Sequence, residues 1–292
     1  MTVTENISAS LHNDEPPSKV RGSGRLSVGL LAAGVFLVFV AIAAVLPGLL
    51  SKTDPLYADP LVAFRAPSAE HWFGTDQLGR DVYSRVVHGA GHSLLIGLSA
   101  IVLAVVVGAL IGVVAGLSRG KVDEVLTRLL DVISSFPDLL LALVLISFTG
   151  PGTVNLIFAL GIASVPRFAR VVRAQTFVIA RSGYVEQAKT FGLGKITLVR
   201  RHVLPHAIAS LPILATLGFG STILGAAALS FLGMGPQPPS PEWGAMLSEG
   251  RNYLRQAWWV TVLPGIAVTL TVVSVTVLGR HWQARFEGRS LR

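Results

Sequence analysis

The chain has 292 residues, of which 51% are hydrophobic and 14% charged, against about 25% charged in soluble domains. The net charge of +8 would suggest nucleic acid, a reading excluded if the basic residues sit in short loops between membrane spans and act as topology signals. There is no cysteine, which excludes disulfides, thiolate metal sites and iron–sulfur clusters.

Residues 1–27 are polar and proline-bearing and read as a cytoplasmic tail with little order of its own. The first apolar run, 28–50, follows Lys19, Arg21 and Arg25, and Ala41-Ile42-Ala43 imitates a signal-peptide cleavage site. The run is longer than the roughly 7–15 residues of a signal-peptide core, so it is read as an uncleaved first transmembrane helix. Residues 51–92 form an extracytoplasmic segment. Within it Asp76/Arg80 and Asp81/Arg85 are (i, i+4) acid–base pairs, and Leu78, Val82 and Val86 share one helical face. That pattern predicts an amphipathic helix lying along the outer membrane surface.

Residues 93–280 form a core of five further transmembrane helices, predicted at 93–117, 126–149, 153–173, 206–231 and 259–280, with a cytoplasmic C-tail at 281–292. Each run approaches the roughly 20 apolar residues that cross a bilayer. The fold class is therefore all-α integral membrane with about six transmembrane helices. In the second span Ala104, Gly108, Gly112 and Gly116 make a ridge of small residues that lets two helix backbones approach closely. In the third, a helix beginning near Thr127 would carry Asp138 roughly 16 Å along its axis, where a carboxylate must face protein or water. Asp138 either lines a translocation cavity or caps locally after Pro137. Arg167 and Arg170 intrude on the fourth span. With six spans and the N-terminus inside, eighteen of the 24 Lys and Arg residues fall on the cytoplasmic side, and both termini are cytoplasmic.

Between the fifth and sixth spans, Pro236, Pro238, Pro239 and Pro241 forbid a regular helix. The stretch from Gly233 to Trp243 reads as a stiff outside loop, with Trp243, Trp258 and Trp259 in an interfacial aromatic belt. It either touches an extracytoplasmic binding protein or simply anchors the chain. His71, His88 and His92 are read as surface histidines in preference to a nickel site. His202 and His206 have a metal-compatible spacing but no further ligand cluster nearby.

The informative connector is 181–205, RSGYVEQAKTFGLGKITLVRRHVLP. Ordinary helix connections run about 2–8 residues; this one reads as a helix carrying Val185, Ala188 and Phe191 on one side, a break at Gly192-Leu193-Gly194, and a second helix to Leu204. Pro205 sits where the next span can begin. Physics alone leaves two readings level: a knob that docks in a groove of a soluble partner, or a basic hairpin lying on anionic lipid.

The same stretch resembles the EAA loop of ABC-importer permeases through Glu186-Gln187-Ala188, Gly192 and Leu204-Pro205, with glutamine where alanine is usual. Flanking segments at 71–97 (HWFGTDQLGRDVYSRVVHGAGHSLLIG), 131–143, 228–247 and 257–265 resemble the second permease of dipeptide, oligopeptide and nickel importers. Ala226, where an acidic residue is common, and Gly279-Arg280-His281-Trp282-Gln283 depart from that pattern and leave the substrate branch open. The resemblance implies a MetI-like permease core that imports peptides, with nickel or another small solute as the alternative. It implies a non-catalytic subunit whose ATPase-coupling loop uses Glu186, Gln187, Ala188, Phe191, Gly192, Leu204 and Pro205. The motif Gly74, Asp76, Gly79, Arg80 and Asp81 would mark the extracytoplasmic side.

The chain lacks a G-x-x-x-x-G-K-[ST] phosphate loop. No cofactor is expected in it; ATP and Mg are expected on partner ATPase subunits. The implied partners are a second homologous permease, two ATP-binding subunits or domains, an extracytoplasmic substrate-binding protein and membrane lipid, without nucleic acid. A secondary transporter or channel, the reading from another class, would predict several ionisable residues in the spans or an inverted repeat. Asp138 is the one candidate carboxylate.

Overall fold

The computed structural model describes residues 28–118 and 120–286; the expected tail over 1–27 and the end of the C-tail at 287–292 lie outside the described residues. In chain order the helices are α1 (Val28–Val45), α2 (Val82–Leu117), α3 (Lys121–Ser134), α4 (Asp138–Thr149), α5 (Thr153–Ile179), α6 (Gly183–Thr190), α7 (Leu211–Phe231), α8 (Trp243–Gly250) and α9 (Trp259–Phe286), with shorter turns between them. Among the described residues no strand forms. Five of these helices (α1, α2, α5, α7 and α9) are long and apolar enough to cross a membrane, and α3 with α4 makes a sixth crossing if the bent pair is one span.

Glycines set the central packing. A Cβ built at Gly108 would lie 2.7 Å from Phe168 Cβ, one at Gly112 would lie 2.6 Å from the Ala169 carbonyl, and one at Gly116 would lie 2.6 Å from Thr176 Cβ. The small-residue ridge of α2 is thus pressed against α5, and a side chain there would cost about 1–3 kcal/mol through overpacking. The contacts advance together along both helices, so α2 and α5 run parallel and finish at the same end of the bundle. Gly220 faces Val272 and Thr276, and Gly91 faces Ala44. Gly279 meets Thr216 and Leu217, Gly97 meets Ile223 while Gly218 meets Ile101, and Tyr83 donates to the Leu50 carbonyl, so α7 is antiparallel to both α9 and α2, and α1 is antiparallel to α2. Val28 and the end of α9 therefore lie at the end where α2 and α5 finish.

Three expectations need correction. The third span is not one helix: α3 and α4 meet at 89°. Proline pushes its preceding residue, here Phe136, out of the helical region and cannot continue a helix from the turn before it. Asp138 consequently sits exposed in the first turn of α4, where a carboxylate suits the helix dipole. α3 instead lies against α5: Arg173 donates two hydrogen bonds to Asp123 (2.6 and 2.7 Å) and Arg170 one to Asp131 (3.0 Å). Of the two arginines that intrude on the fourth span, Arg170 is thus matched by Asp131.

The predicted surface helix around Asp76 also does not form. Residues 74–81 are a tight turn, and the helix starts at Val82 and continues without a break to Leu117, 36 residues in all. Val82 and Val86 are buried, while Leu78 is exposed.

Nor do the three tryptophans form an interfacial belt. Trp243 and Trp259 are buried and donate through Nε1 to the carbonyls of Val86 (2.9 Å) and Thr75 (3.1 Å); Trp258 alone is exposed. The fifth span begins at Leu211, a few residues after the expected start, and α8 is an additional helix after the proline-rich loop.

Candidate functional site

The connector between α5 and α7 forms a projecting, doubly bent element. α6 ends at Thr190 with Phe191 as its cap, and Gly192 follows with φ +83°. The Leu193 N–H donates to the Ala188 carbonyl (3.3 Å) and the Gly192 N–H to the Lys189 carbonyl (3.0 Å). These two bonds make a Schellman cap, the ending that favours glycine because a Cβ is strained at positive φ. A single turn at Lys195–Leu198 follows, then a wider π turn at Val199–Val203 and another α turn at Leu204–Ala207. Pro205 has no N–H to give to the carbonyl of Arg201, and the ladder widens beside it.

The element is tied down on one side and bare on the other. Val185 and Val203 are buried, and Ala188 is half-buried. The Tyr184 hydroxyl donates to the His202 carbonyl (2.9 Å), and its ring centroid lies 6.3 Å from that of His202 and 5.9 Å from that of His206. Phe191 is 84% exposed and Ile196 76%; Glu186 and Gln187 are exposed. Two large apolar side chains thus flank the glycine bend, next to a carboxylate and to the bases Lys189 and Lys195. This is a rigid tip suited to a concave partner. His202 and His206 contribute to holding Tyr184, and no group of three metal-ligating side chains occurs among the described residues.

At the other end of the bundle, the motif residues close a buried ionic knot. Gly74 and Gly79 both have positive φ; a Cβ at Gly74 would sit 2.6 Å from the Arg65 carbonyl, and one at Gly79 would overlap the Asp59 backbone. The turn they permit wraps Asp76. Its Oδ1 accepts from the N–H groups of Leu78 (2.8 Å) and Arg80 (3.0 Å), and its Oδ2 from Arg80 Nε and Arg85 Nη1 (both 2.6 Å). Glu249 of α8 accepts from Arg80 Nη2 and Arg85 Nη1, both at 2.9 Å. Asp81, expected to pair with Arg85, instead caps α2 through the Ser84 N–H (2.7 Å) and pairs with His71 (2.9 Å). Asp76, Arg80 and Arg85 are almost wholly buried. Sequence spacing missed Glu249.

Glu242 is a further buried acid. It caps α8 by accepting from the N–H groups of Gly244 (2.9 Å) and Ala245 (2.8 Å), and Ser93 of α2 donates to it (3.1 Å). Burial pushes its carboxyl above the ordinary glutamate range, opposed by those backbone hydrogen bonds. The folded state therefore holds this proton more tightly than the unfolded chain. The corresponding stability is complete below glutamate's usual pKa of about 4.3 and declines as pH rises through the raised value. Thermal midpoints of Glu242→Gln across that range should lack this decline; a slope equal to the wild type's would refute the assignment.

The family model for the binding-protein-dependent transport system inner membrane component matches residues 108–291. A probable D,D-dipeptide transport system permease protein from Escherichia coli (strain K12) is 36% identical over 286 residues, 96% of this chain and 95% of that protein. A di/tripeptide transport system permease protein from Pseudomonas aeruginosa (strain UCBPP-PA14) is 39% identical over 86% of this chain and 85% of its own length. A glutathione transport system permease protein from Pectobacterium atrosepticum is 38% identical, covering 85% and 83%. Among solved structures, a chain of a methionine ABC transporter in inward-facing conformations superposes with a TM-score of 0.56 at 18% identity, over 68% of this chain and 94% of that one. A chain of an amino acid ABC transporter gives 0.54 at 17%, over 69% and 94%. These two likenesses show the MetI-like fold. The chain belongs to the binding-protein-dependent transport system inner membrane component family: it is a membrane permease subunit of an ABC importer, whose ATP is hydrolysed on other subunits.

Proposed function

We propose that this permease pairs with a second, related permease and passes di- and oligopeptides across the cytoplasmic membrane. An extracytoplasmic binding protein delivers them, and two ATP-binding subunits carrying ATP and Mg drive the cycle. The observation that carries the substrate class is near full-length similarity to permeases named for D,D-dipeptide and for di- and tripeptide transport. Both termini are cytoplasmic on the distribution of basic residues, which puts the 181–205 element inside and the Asp76 knot outside.

In this reading the projecting element is the coupling contact. Phe191 is the apolar plug, Gly192 the bend and Ala188 the close-approach face. Glu186 and Gln187 meet a polar rim on the ATPase, while Leu204 and Pro205 pass the motion into α7. Coupling of this kind needs a rigid element that biases two discrete packings. Asp138 borders the pathway. It starts a helix of 12 residues, about 18 Å long, and so lies near mid-depth, where an exposed carboxylate requires water or protein.

Proteoliposomes holding the complex should take up labelled dipeptide only with ATP inside and binding protein outside, and unlabelled di- and tripeptides should compete. Uptake without nucleotide hydrolysis would overturn the mechanism. Competition by nickel but not by peptides would overturn the substrate.

A further inference from the structure

Where α1 begins and α9 ends, the two helices border a groove of about 540 Å³ that the transport mechanism does not use. Its walls are apolar, with Leu31 and Val35 from α1 and Leu278 from α9. Both α1 residues are more than half exposed. A Cβ at Gly34, between them, would meet nothing within 4 Å, so the groove is open at that level.

Its chemistry changes at one end. His281 and Arg285, four residues apart on α9 and thus on one face, line the groove together with Trp282, which is 52% exposed. Arg170 and Arg173 have carboxylate partners. Among the described residues no carboxylate lies within ion-pair distance of Arg285. The depth also fits. α9 has 28 residues, about 42 Å at 1.5 Å per residue, against a hydrocarbon layer of about 30 Å. Its last turns therefore reach headgroup level, where tryptophan concentrates.

We propose that this groove binds an anionic phospholipid, with one acyl chain along the α1 wall beside Gly34 and the phosphate on Arg285 and His281. An apolar trough ending in the Arg285 guanidinium at the interface is complementary to that ligand, the wall to an acyl chain and the cation to a phosphate. Basic pockets between transmembrane helices hold such headgroups generally.

The test uses the purified full-length chain with the subunits that accompany it, titrated in mild detergent with phosphatidylglycerol or phosphatidylcholine, bound lipids being counted by native mass spectrometry. Wild type should retain phosphatidylglycerol preferentially. Arg285→Gln should weaken that retention about fivefold, the effect of one basic residue near the surface, and leave phosphatidylcholine unchanged. Arg285→Lys should keep it. Gly34→Leu, which fills the trough without altering charge, should weaken it too. Equal retention of both lipids by wild type, or retention unaffected by Arg285→Gln, would overturn the proposal. So would loss in Arg285→Gln with Gly34→Leu unaffected, since that is general surface electrostatics and not a groove.

Discussion

Arg85→Ala should destabilise the folded permease by about 3–5 kcal/mol, the cost of leaving partners of a buried ion pair uncompensated. Arg85 is 1% exposed and gives one nitrogen to both Asp76 and Glu249, at 2.6 and 2.9 Å. Without it, Arg80 alone faces two carboxylates in a site that excludes water. The knot also joins the 51–81 segment and the start of α2 to α8, far along the chain. Its loss should therefore release the segment from the bundle as well as lower the melting midpoint. Thermal unfolding in detergent and limited proteolysis after Lys52 would read both effects. Arg251→Ala serves as the reference, because Arg251 is exposed and its guanidinium stands 5.6 Å over the Phe231 ring; a change of a few tenths of a kcal/mol is expected there. Arg85→Ala combined with Glu249→Gln should cost less than the separate changes added together, since the two groups share one network. Equal midpoints for wild type and Arg85→Ala would dispose of the knot as a stabilising device.

The same knot separates what the sequence makes legible from what it does not. The spacing of Asp76 and Arg80 correctly pairs them, but (i, i+4) contact does not require a helix. Here Gly79, at φ +73°, turns the chain back, and Arg80 reaches Asp76 from a loop. The partner that decides Arg85 is Glu249, 164 residues away, and no local rule can find it. The break at Pro137 had a local signal, the Phe136-Pro137 pair. Composition masks that signal, because the apolar content of 126–149 suffices for a span whether or not the helix bends. The general tendency of tryptophan puts Trp243 in an interfacial belt, whereas α8 folds back and brings it to the Val86 carbonyl. Helix-to-helix contact by Gly108, Gly112 and Gly116 was legible, because small residues every four positions state their packing directly. So was the bend after α6: a glycine at the end of a short helix is a local requirement of backbone geometry.

That bend gives the sharpest test of the coupling contact. Gly192→Asp should reduce ATP-dependent uptake by more than about 100-fold while leaving membrane insertion and protein level near wild type. Nothing lies within 4 Å of a Cβ at Gly192, so the chain itself has no clash to relieve. The remaining internal cost is a non-glycine residue at φ +83°, about 1–2 kcal/mol, borne at an exposed tip that the transmembrane core does not depend on. A partner surface closing over Phe191 would meet far more: a carboxylate placed at the rim of an apolar contact, buried without a counter-charge, costs about 3–5 kcal/mol. At 1.4 kcal/mol per tenfold that loss exceeds two orders of magnitude in the coupled state. Gly192→Ala, which carries the backbone strain without the charge, should retain part of the uptake, and the two variants together separate geometry from docking. Co-purification of the ATPase should fall in Gly192→Asp and hold in Gly192→Ala. Wild-type uptake by Gly192→Asp would mean that the exposed tip is not where the motor grips.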